Sequence, residues 1–365
     1  MSRRGGPIRW AIGRGLLGAA TLVCLLAVGC GDPAPRAKAT LWREADALFH
    51  ADPRWIGGDG AYSVELGNDR VLWLFGDSFI ATTPEHRRAH SKMVRNSVAL
   101  QTGRDPSSAF MQFYYPQKNA DPQSFAPEEG GSWFWPMHGV RLDDILLLFY
   151  ERLNSPAGDP TGFETNASRA FWVPNPDDDV SEWQLLPAST PPPPLHDITF
   201  GEAAVARGDE LYLYGTRGDR HAVYLARVSV AEARARNLGN MQFWDGSGYS
   251  ANPEPVLDFG APEFSLHYDA RLDKWVMVQT EGYGASTLAW RVADAPEGPF
   301  TDPADLLRPP ESFEPDAFVY AGKAHPELRG ADLVATYVPS SFGDRPSYED
   351  EKRLYYPHFV RVTYR

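Results

Sequence analysis

Five short apolar runs recur along this 365-residue chain, and they constrain its fold more than any other feature. They are Leu72-Trp73-Leu74-Phe75-Gly76, Leu146-Leu147-Leu148-Phe149-Tyr150, Leu211-Tyr212-Leu213-Tyr214-Gly215, Trp275-Val276-Met277-Val278-Gln279 and Leu333-Val334-Ala335-Thr336-Tyr337. Their starts are 74, 65, 64 and 58 residues apart. Each follows a turn pair: Asn68-Asp69, Asp143-Asp144, Gly208-Asp209, Leu272-Asp273 or Arg329-Gly330. Before each turn lies a further strand-like stretch: 61–66, 136–142, 202–207, 264–270 and 323–328. After each run comes a third: 96–101, 168–173, 222–228, 286–292 and 358–363. Short strands joined by Gly, Asn and Asp turns read as antiparallel meanders. Five meanders at a long, fairly even period predict an all-β, five-bladed β-propeller, because radial stacking leaves only short, protected sheet edges. A β-sandwich also has alternating short strands, but not this period. Thirty-two Gly and thirty-two Pro fit a chain of many turns. The 229–237 stretch is the one short helix expected, and 105–132 and 175–199 read as long inserts.

The net charge of −13 argues against nucleic acid as a partner, since phosphate binding needs a basic face. It suits a neutral or cationic ligand, and it also serves solubility. The first residues read as an export signal. Arg3, Arg4, Arg9 and Arg14 precede an apolar stretch, 16–28, that is short for a membrane span. It ends in Leu26-Ala27-Val28-Gly29-Cys30, similar to a bacterial lipobox with Ala27 in place of the usual Leu. The resemblance implies cleavage before Cys30, lipidation of its thiol, and an exported lipoprotein held at the outer membrane, cell surface or periplasm. An ordinary secretory signal cut nearby is the rival reading. The expected layout is a signal peptide over 1–29, a tether over 30–40 and a propeller over 41–365. Removing 1–29 takes away four Arg and no acid, so the charge becomes −17. Cys24 leaves with the signal, so the domain itself has no thiol for disulfide, metal or redox chemistry.

A propeller gathers the inner strands of its blades around one axis, so polar residues on those strands are the informative ones. In chain order they are Asp59, His138, Glu202, His267 and His325. Two carboxyls facing one funnel suit glycoside hydrolysis, which uses one acid to protonate the leaving oxygen and one carboxylate as base or nucleophile. Glu202, between Thr199-Phe200-Gly201 and Ala203-Ala204-Val205, has apolar neighbours and is assigned as the acid. Asp59, within Gly57-Gly58-Asp59-Gly60, has more open surroundings and is assigned as the base. Asp77 is a third carboxylate, to position a sugar or tune the acid, with Arg95 to hold Asp77 or a substrate hydroxyl. Trp133, Trp135 and Tyr283 are candidates for sugar stacking, and His138, His267 and His325 for substrate binding. The plainer readings are turn caps for the aspartates, core packing for the tryptophans and structural hydrogen bonding for the histidines. Three axial histidines are also a possible metal set. The run Asp177-Asp178-Asp179 is either a solvated loop or a structural Ca²⁺ site. No cofactor is expected, and a monomer is.

Trp55, Gly57-Gly58-Asp59-Gly60-Ala61-Tyr62-Ser63, then Leu72-Trp73-Leu74-Phe75-Gly76-Asp77-Ser78-Phe79 and Arg95-Asn96-Ser97 resemble bacterial secreted propeller domains long known only as domains of unknown function. Trp135-Pro136, Lys323-Ala324-His325-Pro326 and Thr336-Tyr337 fit the same pattern, which spans roughly Leu41 to Tyr364. Some members of that group are endo-acting D-arabinanases of actinobacteria. More distantly, the chain is similar to the arabinanase, xylosidase and invertase propellers, which place an Asp in blade one and a Glu in blade three. Asp59 and Glu202 match those positions. The resemblance implies a polysaccharide or glycoconjugate substrate. A non-catalytic glycan- or protein-binding propeller is the alternative.

Overall fold

The computed structural model describes residues 35–156, 162–282, 286–314, 317–341 and 353–365. Its strands form five antiparallel blades, each ordered from the axis outward. Blade 1 is Tyr62–Gly67, Arg70–Phe75, Ser97–Thr102 and Phe110–Tyr114. Blade 2 is Trp133–Leu142, Ile145–Asn154, Glu164–Val173 and Leu186–Pro187. Blade 3 is Thr199–Arg207, Glu210–Arg217, Ala222–Ser229 and Gln242–Trp244, with Tyr249–Ser250 and Pro255–Leu257 added at its outer side. Blade 4 is Phe264–Asp269, Lys274–Glu281, Thr287–Ala293 and Ala304–Leu307. Blade 5 is Ala317–Ala324, Leu333–Ser341, His358–Tyr364 and, from the other end of the chain, Ala37–Leu41.

The apolar runs are continuous because each second strand is covered on both faces. In blade 1, Val71, Trp73 and Phe75 face a cluster shared with blade 5, while Leu72 and Leu74 face blade 2. In blade 2, Leu146, Leu148 and Tyr150 face blade 1, and Leu147 and Phe149 face blade 3. The same alternation fills the remaining interfaces, so each neighbouring pair of blades shares one apolar cluster. The expected turns hold their residues in the left-handed region. Asn68 and Asp69 have φ of 54° and 56°, Asp143 56° and Asp273 53°.

Several boundaries differ from expectation. The stretch expected as a tether contributes Ala37–Leu41 to blade 5, where alternate residues are half-buried. The inner strand of blade 5 is Ala317–Ala324 rather than 323–328, since Pro326 cannot donate to a ladder and the chain turns at His325–Leu328. The helix expected over 229–237 is Val230–Arg234, capped by Ser229. A separate three-stranded sheet, Trp55–Gly58, Ser78–Ala81 and Ser91–Val94, sits on blade 1 and carries Asp59 and Asp77 at its ends.

Candidate active site

Every inner strand divides its residues between two cavities. The first halves and the residues just before them line a cavity of about 1100 Å³: Asp59 and Tyr62, Trp135 to Met137, Thr199 and Glu202, Pro262 and Glu263, Phe318 and Tyr320. The second halves line one of about 670 Å³: Ser63 to Gly67, His138 to Arg141, Ala204 to Ala206, Ser265 to His267, and Ala324. The two cavities therefore open at opposite ends of the axis.

Asp59 and Glu202 are brought to the same, larger cavity, along with Trp135. The expectation that the three histidines join them is corrected. His138 and His267 line the smaller cavity, and His325 is fully buried between Ser63 Oγ and Thr336 Oγ1, at 2.5 and 2.8 Å. They lie further along their strands than the acids, past the point where the strands pass from one mouth to the other. His138 Nδ1 accepts from the Ala204 N–H at 3.1 Å, so its Nε2 carries the proton and donates to the Ser63 carbonyl at 3.0 Å. Burial pushes His138 and His267 down to about 4 and lowers His325 as well, so all three are neutral at pH 7. Among the described residues no three His, Cys, Asp or Glu side chains come together as metal ligands. In the Asp177 run, Asp177 pairs with Arg70 and Arg141, Asp178 accepts from Asn175, and Asp179 caps the turn at Ser181. Tyr283 and Cys30 lie outside the described residues.

Glu202 reaches the axis through a β-bulge. The register between the first two strands of blade 3 shifts between Phe200 and Ala203, which re-aims the side chain. Gly201 makes this possible: its φ is +125°, and a Cβ there would overlap the Phe149 side chain. Tyr62, from blade 1, donates to Glu202 Oε2 at 2.5 Å across the axis. Burial, then the Glu151 carboxylate, raises the Glu202 carboxyl well above the ordinary range, against the Tyr62 bond and the Lys323 charge.

Asp59 follows Gly57-Gly58, and its Oδ2 accepts from Tyr320 at 2.8 Å and Tyr355 at 3.2 Å. Its surroundings are less open than expected. Burial first, then the charges of Asp77 and Glu263, push it up to about 8, against the two phenol bonds. Gly76 is required beside it, because a Cβ there would overlap Asp59 Oδ1. Asp77 does not line the cavity. It accepts from Trp135 Nε1 at 2.9 Å and pairs with Arg95 at 3.3 Å, and its charge acts on Asp59. Arg95 thus holds Asp77, as one of its two expected roles had it. Its guanidinium also lies 4.5 Å over the ring of Trp133, which is packed away at 7 % exposure.

Sequence reasoning missed four contributors: Glu151, Glu263, Tyr62 and Lys323. Thr165 donates to Glu151 at 2.5 Å, and burial raises that carboxyl too. Lys323, 1 % exposed, bonds Glu263 at 2.5 Å and the Gly60 carbonyl at 2.7 Å, and lies 4.1 Å over the Tyr62 ring. The alignment of Glu263 with the start of an inner strand was the available signal; Glu151, in Tyr150-Glu151-Arg152, had none.

Residues 43–364 match the family described as Domain of unknown function (DUF5005). No curated protein matches. Among solved structures, the chain is similar to a putative hydrolase from Bacteroides ovatus ATCC 8483, with a TM-score of 0.69 and 17% identity, over 89% of this chain and 90% of that one. It is also similar to the catalytic domain of the Coprinopsis cinerea GH62 alpha-L-arabinofuranosidase, with a TM-score of 0.49 and 11% identity, over 91% and 98%. An endo-arabinase from Bacteroides thetaiotaomicron VPI-5482 gives 0.43 and 10%, over 80% and 96%. At these identities the likeness is one of fold, and the last two, with TM-scores below 0.5, carry no argument of their own.

Proposed function

We propose that this chain, which belongs to the DUF5005 family, hydrolyses glycosidic bonds of a polysaccharide or glycoconjugate in its larger cavity. The observation that carries this reading is the meeting of Asp59, from the stretch leading into blade 1, and Glu202, from blade 3, in one cavity, with tyrosine hydroxyls rather than cations as their described hydrogen-bond partners. Glu202, the more strongly buried, has its carboxyl raised well above the ordinary range, which suits it to give a proton to the leaving oxygen. Asp59 acts as base or nucleophile on the anomeric side. Trp135, fixed by its bond to Asp77, offers a ring to a sugar face, and the exposed Phe163 beside it, 4.7 Å away, extends that wall. The alternative, a glycan- or protein-binding propeller without catalysis, expects the carboxylates to lie too far apart or to be tied up in salt bridges. Among the described residues Asp59 and Glu202 form none.

The test is hydrolysis of a glycan panel, arabinan first, by the parent chain and by Glu202→Gln and Asp59→Asn. Loss of a general acid or base lowers the rate by about 10²–10⁴-fold. Cleavage by the parent with full rates in both variants overturns the assignment. Lipidation of Cys30 and export to a membrane surface belong to the same proposal, and mass spectrometry of the mature N-terminus checks them.

A further inference from the structure

Of the two phenols on Asp59, Tyr355 alone has a strained backbone, with φ of +61°. A bulky residue takes this left-handed conformation only at an energetic cost, so it persists only where its surroundings enforce it. Here they do. The Tyr355 N–H donates to the Pro339 carbonyl at 2.7 Å, and its carbonyl accepts from the Gly58 N–H at 2.9 Å. The preceding carbonyl, Leu354, accepts from Arg88 at 2.5 Å. The Nε of Arg88 donates to the Ile56 carbonyl at 2.9 Å.

Arg88 is thus a strut between the strand that leads into Asp59, Trp55–Gly58, and the segment that carries Tyr355. Arg88 is 8 % exposed, and its guanidinium lies 5.5 to 5.9 Å from the rings of Phe79, Tyr355 and Tyr356. Gly57, at φ +123°, leaves room for this approach: a Cβ there would overlap the Tyr355 carbonyl and meet the Arg88 guanidinium at 2.8 Å.

We propose that Arg88 is a positioning residue for the acid site: by bridging the carbonyls of Ile56 and Leu354, it holds Tyr355 in its left-handed conformation and the Tyr355 hydroxyl on Asp59. The inference deepens the reading of Asp59 as the base. Among the described residues, five groups bear on Asp59. Asp77 and Glu263 oppose its ionisation, Tyr320 and Tyr355 favour it, and the Lys323 ammonium is held by Glu263 and the neighbouring Gly60 carbonyl. Losing one phenol bond therefore raises the Asp59 carboxyl further.

The experiment is a ¹³C NMR titration of Asp59 in carboxyl-labelled protein, in the parent and in Arg88→Met, Tyr355→Phe, Tyr320→Phe and the pairwise combinations. Arg88→Met and Tyr355→Phe are each expected to raise the Asp59 titration by roughly one unit, a tenfold change in its protonation ratio. Combining them adds nothing further, whereas Arg88→Met added to Tyr320→Phe gives its full shift. Arg88→Lys, which reaches one carbonyl, restores part of the effect and carries the same cycle where Arg88→Met does not fold. An Arg88 variant that lowers the melting temperature but leaves the titration in place overturns the proposal, as does a full additional shift on Tyr355→Phe. The titration needs no substrate, so its outcome is independent of whether a glycan is cleaved.

Discussion

Asp59 shows how a single side chain couples activity to stability. Its carboxyl ordinarily titrates at 3.8, and in the fold at about 8. As a base it works only when ionised, so kcat/KM is expected to fall about tenfold per pH unit as pH drops below about 8. Between the two values the unfolded chain has given up a proton that the folded chain retains. The stability this group contributes is therefore full below about pH 4 and is lost as pH rises through about 8. Asp59→Asn removes the titration. The variant is expected to be inactive yet more stable than the parent, by on the order of 5 kcal/mol at pH 8 and by less than about 1 kcal/mol at pH 4. Thermal melts at the two pH values read this directly. An equal gain at both shows that the stabilisation does not come from the buried charge.

At the scale of strands, the outer logic of the molecule was open to sequence reading and the inner logic was not. The second strands are apolar throughout because blades cover them on both sides, so Leu72–Phe75 and Leu146–Tyr150 announce themselves. Asp59 and Glu202 stood out as carboxyls expected on inner strands, and the glycines before them are needed for bends of the chain. The bulges left no pattern in the sequence. Blades 2, 3 and 5 each break register near the middle of the inner strand, at 136–139, 200–203 and 320–323, and these breaks decide which side chains reach which mouth. A reading by inner-strand position alone placed His138 with Glu202, and Glu151, on a second strand, was invisible to a search along inner strands. Gly201 tests the bulge itself. Gly201→Ala adds a methyl where Phe149 already lies and forces a non-glycine residue to φ +125°. It is expected to cost about 2–4 kcal/mol in urea unfolding and to pull Glu202 off Tyr62. A loss of activity without a loss of stability indicates that the strand gives way locally; neither loss means that the bulge does not depend on glycine.

The whole ring depends on its two chain ends, because blade 5 is built from both. Ala37–Leu41 runs antiparallel to Val360–Tyr364 in unbroken register, extended by Trp42 N–H to the Phe359 carbonyl at 2.8 Å. Behind this strand, Asp46 accepts from the Phe359 N–H at 2.7 Å, Arg43 pairs with Glu311 at 3.1 Å, and Phe49 stacks on Phe359 at 4.8 Å. Closure matters to the site as much as to the fold, since Asp59 comes from the stretch leading into the first blade and its phenols from the last. A chain beginning at residue 35 is therefore expected to melt like the full chain. One beginning at residue 42 loses the outer strand, which is expected to lower stability by about 2–5 kcal/mol and to leave His358–Tyr364 as an open edge that pairs with other copies. Calorimetry and size-exclusion chromatography of the two truncations compare these outcomes. If both melt alike and stay monomeric, the side chains of residues 42–49 close the ring unaided, and the strand only covers a seam they already hold.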